Sequence, residues 1–436
     1  MNRLPEHTRQ KRYFLLGVAL LFALCLRADN QVYPPLLLQL AQQSQQPERY
    51  WAALLPQDPQ LALAKLSQST QLHWITLAAK HRNAYAQWQL SELTTDPQQR
   101  LMWLQKAAEN EEPLAQNALY HHLKLTFPEE ALRWLKRAAT QDANSALLLA
   151  KEGWRQQDVT ALKHWLVQAK HLGNMQAAEF LQALDFSQQY QGAEQGCQQP
   201  ILAVTDSLAG LAKAQQFHQR LISDPRLQDL PVCFSGFVSL PKAQLKCMAQ
   251  ESQNGRLGCD NYLLAQRLAN FQFSHIVVFA NSGKANVVNG MMHLDSADSY
   301  DVFIHELAHF SGFIDEYPLS KTLAMQFCEE DGRYPNLLIR HTSSTDEIQD
   351  ESQLVAARTC NNGSAQAYKT AESFTFMEFY DEGTIPADYI TSWQRQLALP
   401  AKLTPAFINL AQASESAKDK PLADYWWQRL AHFRRQ

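Results

Sequence analysis

The chain has 436 residues, 46% of them hydrophobic and 19% charged, enough apolar material for two or three domains with real cores. A mainly disordered protein is excluded. Lys plus Arg number 39 against 43 Asp plus Glu, a net charge of −4, and no long basic run follows a phosphate backbone, so no nucleic-acid partner is expected.

The first element is an apolar run, Tyr13 to Leu26, preceded by Arg3, Arg9, Lys11 and Arg12. Its 14 residues fall short of the roughly 20 that span a bilayer as a helix, and no other such run exists. A polytopic membrane protein is therefore excluded. A charged start followed by a short apolar core reads as a signal peptide or an uncleaved signal anchor over residues 1–28. The expected location is periplasmic or secreted, with inner-membrane anchoring by residues 13–26 as the alternative. Leu24 ahead of Cys25 argues against a lipoprotein signal.

Residues 29–185 are rich in Ala, Leu and Gln and carry a recurring unit. Trp74, Trp103, Trp134 and Trp165 are 29, 31 and 31 residues apart. Each is followed four positions later by Ala78, Ala107, Ala138 or Ala169, on the same face of a helix, where a small side chain lets a neighbour approach. A second apolar helix follows each, so the period predicts an α-solenoid of helix pairs. The spelling resembles degenerate Sel1-like repeats, relatives of tetratricopeptide repeats, without that family's glycines. That resemblance implies a surface for a protein partner.

The polar stretch Asp185 to Gly196 reads as a linker. Beyond it come candidate strands at Ile201 to Thr205, Val232 to Leu240, His275 to Ala280 and Ala285 to Leu294, with a helix at Ala209 to Leu221 between them. Residues 186–398 thus form an α+β domain. It holds Cys197, Cys233, Cys247, Cys259, Cys328 and Cys360, an even set that reads as up to three disulfides. Six cysteines allow 15 pairings, and spacing does not choose among them. Residues 399–436 read as a last helix pair docking back on the repeats.

Chemistry concentrates in His305-Glu306-Leu307-Ala308-His309. At about 100° per residue the two histidines share a helical face with Glu306 beside them, while Phe303, Leu307, Phe310 and Ile314 line the other. Two imidazoles so spaced can bind one Zn2+ together, and Glu306 can take a proton from a water at the metal. Gly312 falls where a helix closing in a left-handed turn wants glycine, and Asp315 follows three residues later, able to fold back toward the histidines.

This H-E-x-x-H-x-x-G-x-x-D segment resembles the active-site helix of zincin metallopeptidases in the metzincin arrangement. The resemblance implies a zincin-like domain, one catalytic Zn2+ held by His305, His309 and Asp315, Glu306 as general base, and a protein or peptide substrate. Glu316, Glu372 and Glu378 stand as alternatives for the third ligand. Tyr317, Tyr380 and Tyr389 are candidate oxyanion donors. Met377, within Phe374 to Tyr380, would be the methionine that metzincins place under the metal. Ala285 to Leu294 would be the edge strand that pairs with substrate. His293 and His341 receive no role. The expected activity is peptide-bond hydrolysis, cell-wall peptides sharing the same chemistry. The alternative is a repeat-based binding scaffold with an inactive or structural zincin domain, and Glu306 favours the enzyme because a purely structural site has no need of it.

Overall fold

The computed structural model describes residues 68–435, apart from 191, 193–195, 241–244, 251–254, 281, 342–353 and 382. The signal or anchor segment at 1–28, Cys25 and the start of the repeat region lie outside the described residues. The chain divides into two compact units. One runs to Leu149 and includes Gln168–Asn174; the other comprises Ala150–Val167 and Met175 onward.

The region is helical first: α1 (Gln68–Lys80), α2 (Ala84–Leu93), α3 (Pro97–Glu109), α4 (Pro113–Leu123), α5 (Pro128–Ala138), α6 (Ala143–Arg155), α7 (Val159–His171) and α8 (Met175–Gln189). In the first unit, Ala78, Ala79, Ala107, Ala108, Ala138 and Ala139 are buried at the helix contacts, as the recurring alanine predicts. Trp103 and Trp134 are only half-buried, covered by Lys106 and Arg137 at 4.7 and 4.8 Å from their rings. The same joint recurs 29 residues apart: Gln87 Nε2 donates to the Ala79 carbonyl at 3.0 Å, and Gln116 Nε2 to that of Ala108 at 3.1 Å. Each adds a side-chain donor to a helix-end carbonyl that also accepts a backbone amide, from Arg82 and Glu111 respectively. Arg82 and Glu111 take the left-handed conformation after α1 and α3, where glycine is usual, which accounts for the missing glycines of the repeats.

In the second unit α8 extends past Asp185, so the polar stretch read as a linker begins inside a helix. Packing overrides its composition. Phe186 contacts the rings of His218 and Phe237, and the Tyr190 hydroxyl donates to the Phe234 carbonyl at 2.6 Å.

A five-stranded sheet follows, with strands β1 (Gln199–Thr205), β2 (Val232–Ser239), β5 (His275–Ala280), β6 (Asn286–Val288) and β7 (Met291–Asp295) in the order β2-β1-β5-β7-β6. The first four in that order run parallel, and β6 is the antiparallel edge. β5 is buried at every position, the pattern of a strand covered on both faces. The helix α9 (Leu208–Ser223) crosses from β1 to β2. A short ribbon pairs β3 (Met248–Gln250) with β4 (Arg256–Gly258) and precedes α10 (Asn261–Leu268).

The run Ala285 to Leu294, read as one edge strand, is a hairpin turning at Asn289 and Gly290. Only β6 is at the edge. A Cβ on Gly290 would lie 2.3 Å from the Ala406 amide nitrogen, so the turn is fixed by the chain packed on it.

After the helix α11 (Tyr300–His309) and α12 (Lys321–Phe327) comes a second, antiparallel sheet in the order β10-β11-β9-β8. Its strands are β8 (Gly332–Arg333), β9 (Leu338–His341), β10 (Val355–Ala357) and β11 (Ala365–Lys369). It has its own small core of Ile314, Leu319, Leu337, Ile339 and Ala367. Then follow α13 (Ala387–Leu397), α14 (Phe407–Ser416) and α15 (Lys420–Phe433).

The expected final helix pair is present, and the sheet supplies its apolar partner. Phe407 and Trp426 belong to the main core, and the Ala406 amide donates to the Ser274 carbonyl at 2.9 Å. Arg429 stacks on Phe273, Phe407 and Trp426 while donating to the Phe271 carbonyl.

The six cysteines pair as Cys197–Cys233, Cys247–Cys259 and Cys328–Cys360. The first ties the approaches to β1 and β2, the second closes the β3–β4 ribbon, and the third crosses the small core. Three disulfides point to an oxidising, exported environment. No helix among the described residues is long and apolar enough to cross a membrane.

Two histidines are buried without charge: burial pulls His275 down to about 3 and His293 down to about 4. The unfolded chain binds protons near pH 6.5 that the folded one refuses, so stability present above about 6.5 is lost as pH falls toward 4. Each histidine contributes a slope of roughly 1.4 kcal/mol per pH unit in that window. His293→Leu should flatten the dependence, so urea unfolding at about pH 5 and 7.5 will show a larger gain over wild type at the lower pH. Reducing the disulfides should lower the urea midpoint of this unit, each bridge contributing about 2–4 kcal/mol.

Candidate metal centre

Helix α11 begins at Ser299, whose hydroxyl accepts from the Val302 amide at 3.2 Å. Phe303, Ile304, Leu307 and Ala308 pack it into the main core at 1% exposure or less, which fixes the direction of the opposite face. The helix stops at His309. Gly312 takes φ +82°, and the Phe313 amide donates back to the Ala308 carbonyl. Asn336 then clamps the returning chain: its Oδ1 accepts from the Ile314 amide at 3.0 Å, and its Nδ2 donates to the Ile314 carbonyl at 2.8 Å. The next residue is Asp315.

This reversal brings His305, His309 and Asp315 together, with one potential ligand atom from each within 4.8 Å of the others. His305 Nε2 lies 3.1 Å from Asp315 Oδ1, and His309 Nε2 lies 3.2 Å from the same oxygen. His305 Nδ1 contacts the Phe376 carbonyl at 2.8 Å and His309 Nδ1 that of Phe313 at 2.9 Å. A carbonyl only accepts, so both Nδ1 atoms carry a proton, and Nε2 is the nitrogen that each ring turns toward Asp315. Two imidazole nitrogens and a carboxylate oxygen thus converge on one point. Ligands about 2.0–2.1 Å from a tetrahedral ion stand about 3.3 Å apart, close to the separations found, so the donor set fits Zn2+. The carbonyls of Phe313 and Phe376 are the outer partners that orient such ligands.

Charge follows the same geometry. Burial alone would push the Asp315 carboxyl up, but the two histidines outweigh it and hold it well below the usual carboxylate range. Burial would likewise pull His309 down, yet Asp315 outweighs it and raises the imidazole to about 9. A proton is the weaker answer to three converging acceptors; a divalent cation satisfies all of them. Glu306 is buried on the next turn position, and desolvation raises its carboxyl against the pull of His309 and His305. The Tyr317 ring lies nearly parallel to that of His305, centroids 6.3 Å apart, and is partly exposed. Burial, then the charge of Asp315, pushes its hydroxyl upward.

The other expected residues take different places. Glu316 is fully buried and all its acceptor capacity is used by Asn336, Tyr389, Lys369 and Thr375, so it is no ligand. Glu378 pairs with Lys369 and Arg358, and Glu372 is exposed, which removes both as ligands. Tyr389 is consumed by Glu316, and Tyr380 is half-exposed. Met377 is buried in a turn closed by the Glu378 and Phe379 amides on the Thr375 carbonyl, and this turn supplies the Phe376 carbonyl to His305. His341 ends β9. His293 is buried, and neither ring nitrogen has a hydrogen-bond partner. Ile314, expected on the helix's apolar stripe, lies beyond the helix end and joins the small core instead. Asn336, Thr375 and Lys369 carried no sequence signal, because their roles arise from segments 20 to 59 residues away from Glu316.

No protein-family model matches the chain, and no curated protein matches it.

Because a cation displaces the proton on His309, zinc binding near pH 7 should release about one proton, and apparent affinity should rise about tenfold per pH unit up to about 9. Calorimetry in buffers of different ionisation enthalpy checks the release. His309→Ala should abolish both binding and release.

Proposed function

We propose that the chain is an exported zinc-dependent hydrolase of peptide bonds. The observation that carries this reading is the convergence of His305 Nε2, His309 Nε2 and Asp315 Oδ1 beside the buried carboxylate of Glu306. His305, His309 and Asp315 would hold Zn2+, which supplies Lewis-acid polarisation of the scissile carbonyl and of a water.

The remaining steps belong to the chain's own residues. Glu306 takes a proton from the attacking water and passes it to the leaving amine, a role helped by the burial that makes its carboxyl more basic. The Tyr317 hydroxyl, which hydrogen-bonds to Asp315, would turn to donate to the oxygen that gains charge. Asp315 holds position through its backbone, whose carbonyl accepts from Thr359 Oγ1 at 2.9 Å. The edge strand β6 offers backbone groups to an extended peptide. The domain is read as zincin-like and the preceding helices as a Sel1-like solenoid that recruits a substrate or partner protein, because alanine-mediated helix contacts repeat at a fixed interval.

Glu306→Gln should retain near-stoichiometric zinc while peptide hydrolysis falls by about 10²–10⁴-fold. Metal analysis and a peptide-library assay on the same preparations check this. Retained hydrolysis in that variant would remove Glu306 from the mechanism. Bound zinc without hydrolysis of any peptide by the wild type would favour a binding scaffold with a structural metal.

A further inference from the structure

We infer that Glu316 is the positioning residue of the metal centre; this rests on the zinc reading above. Its carboxylate is 0% exposed, and a charge so buried costs several kcal/mol unless it is saturated. Here it is. Oε1 accepts from Asn336 Nδ2 at 3.0 Å and the Tyr389 hydroxyl at 2.7 Å; Oε2 accepts from Lys369 Nζ at 3.1 Å and Thr375 Oγ1 at 2.7 Å.

The four donors come from four segments: the loop before β9, the end of β11, the turn after it and α13. Glu316 gathers them at the residue next to Asp315. Asn336 also clamps Ile314, so the backbone is held on both sides of the ligand. The Glu316 amide donates to the Met377 carbonyl at 3.0 Å, and Thr375 opens the turn whose Phe376 carbonyl orients His305. One buried carboxylate therefore sets the placement of Asp315 through the adjoining backbone and of His305 through the Phe376 carbonyl. Lys369 is held in turn by Glu378 at 2.8 Å and the Ser373 carbonyl at 3.1 Å, and Glu378 by Arg358 at 2.9 Å. The alternating charges neutralise one another without drawing on Asp315.

The test measures Zn2+ affinity by competition with a chromophoric chelator, the visible spectrum of the Co2+-loaded protein, and the melting temperature without metal. Glu316→Gln should weaken zinc binding by about 10–100-fold and shift the Co2+ bands. Glu316→Gln combined with Lys369→Met removes one charge of each sign and should recover the melting temperature but not the affinity. Tyr389→Phe, which removes a single hydroxyl, should weaken binding severalfold and serves if Glu316→Gln does not fold. Wild-type affinity and spectrum in folded Glu316→Gln or in Tyr389→Phe would overturn the inference, as would affinity returning with stability in the double variant. A wild type that binds no zinc would instead overturn the zinc reading itself.

Discussion

Both candidate ligand imidazoles donate Nδ1–H to a backbone carbonyl, and the rest of the candidate centre depends on that commitment. With Nδ1 so committed, Nε2 is the nitrogen left to face Asp315, and each ring is held against rotation. His309 obtains its carbonyl from Phe313, four residues on, through the chain reversal at Gly312. His305 obtains its own from Phe376, 71 residues on. The whole second sheet and the small core around the Cys328–Cys360 bridge intervene between helix and turn. Much of the fold after the helix thus delivers one carbonyl oxygen to one imidazole.

Two layers of electrostatics lie back to back. On one side, the Asp315 carboxylate faces the two histidines. On the other, Glu378, Lys369 and Glu316 alternate in sign within the interior, and the exposed Arg358 ends the row. In a low-dielectric setting a single unmatched charge in that row would be strongly destabilising. The row is thus closed without Asp315.

The H-E-x-x-H spacing, the glycine three residues on and the aspartate after it were legible because they act through a helix and one turn, where geometry is local. The buried alanines at the tryptophan interval were legible for the same reason. What the chain order conceals is anything decided by distant packing. Glu316 and Asp315 are adjacent acids of similar chemistry, and only four donors from remote segments separate a structural anchor from a ligand. Ala285 to Leu294 reads as one strand because its apolar residues run on. Gly290, pressed against Pro405 and Ala406, shows why it folds in two. The stretch after Asp185 looked like a linker by composition, while the rings of Phe186 and Tyr190 are bound into an aromatic cluster.

That contact at Gly290 has a consequence for how the α+β domain can be divided. The hairpin that forms the sheet edge turns against the backbone just before α14, and the Asn409 side chain donates to the Val288 carbonyl at 2.7 Å. The last residues are therefore part of the sheet's own boundary. A chain cut near residue 399 would bare Phe273 and release the hairpin's turn at Gly290, so the sheet and the last two helices make one unit that cannot be shortened there.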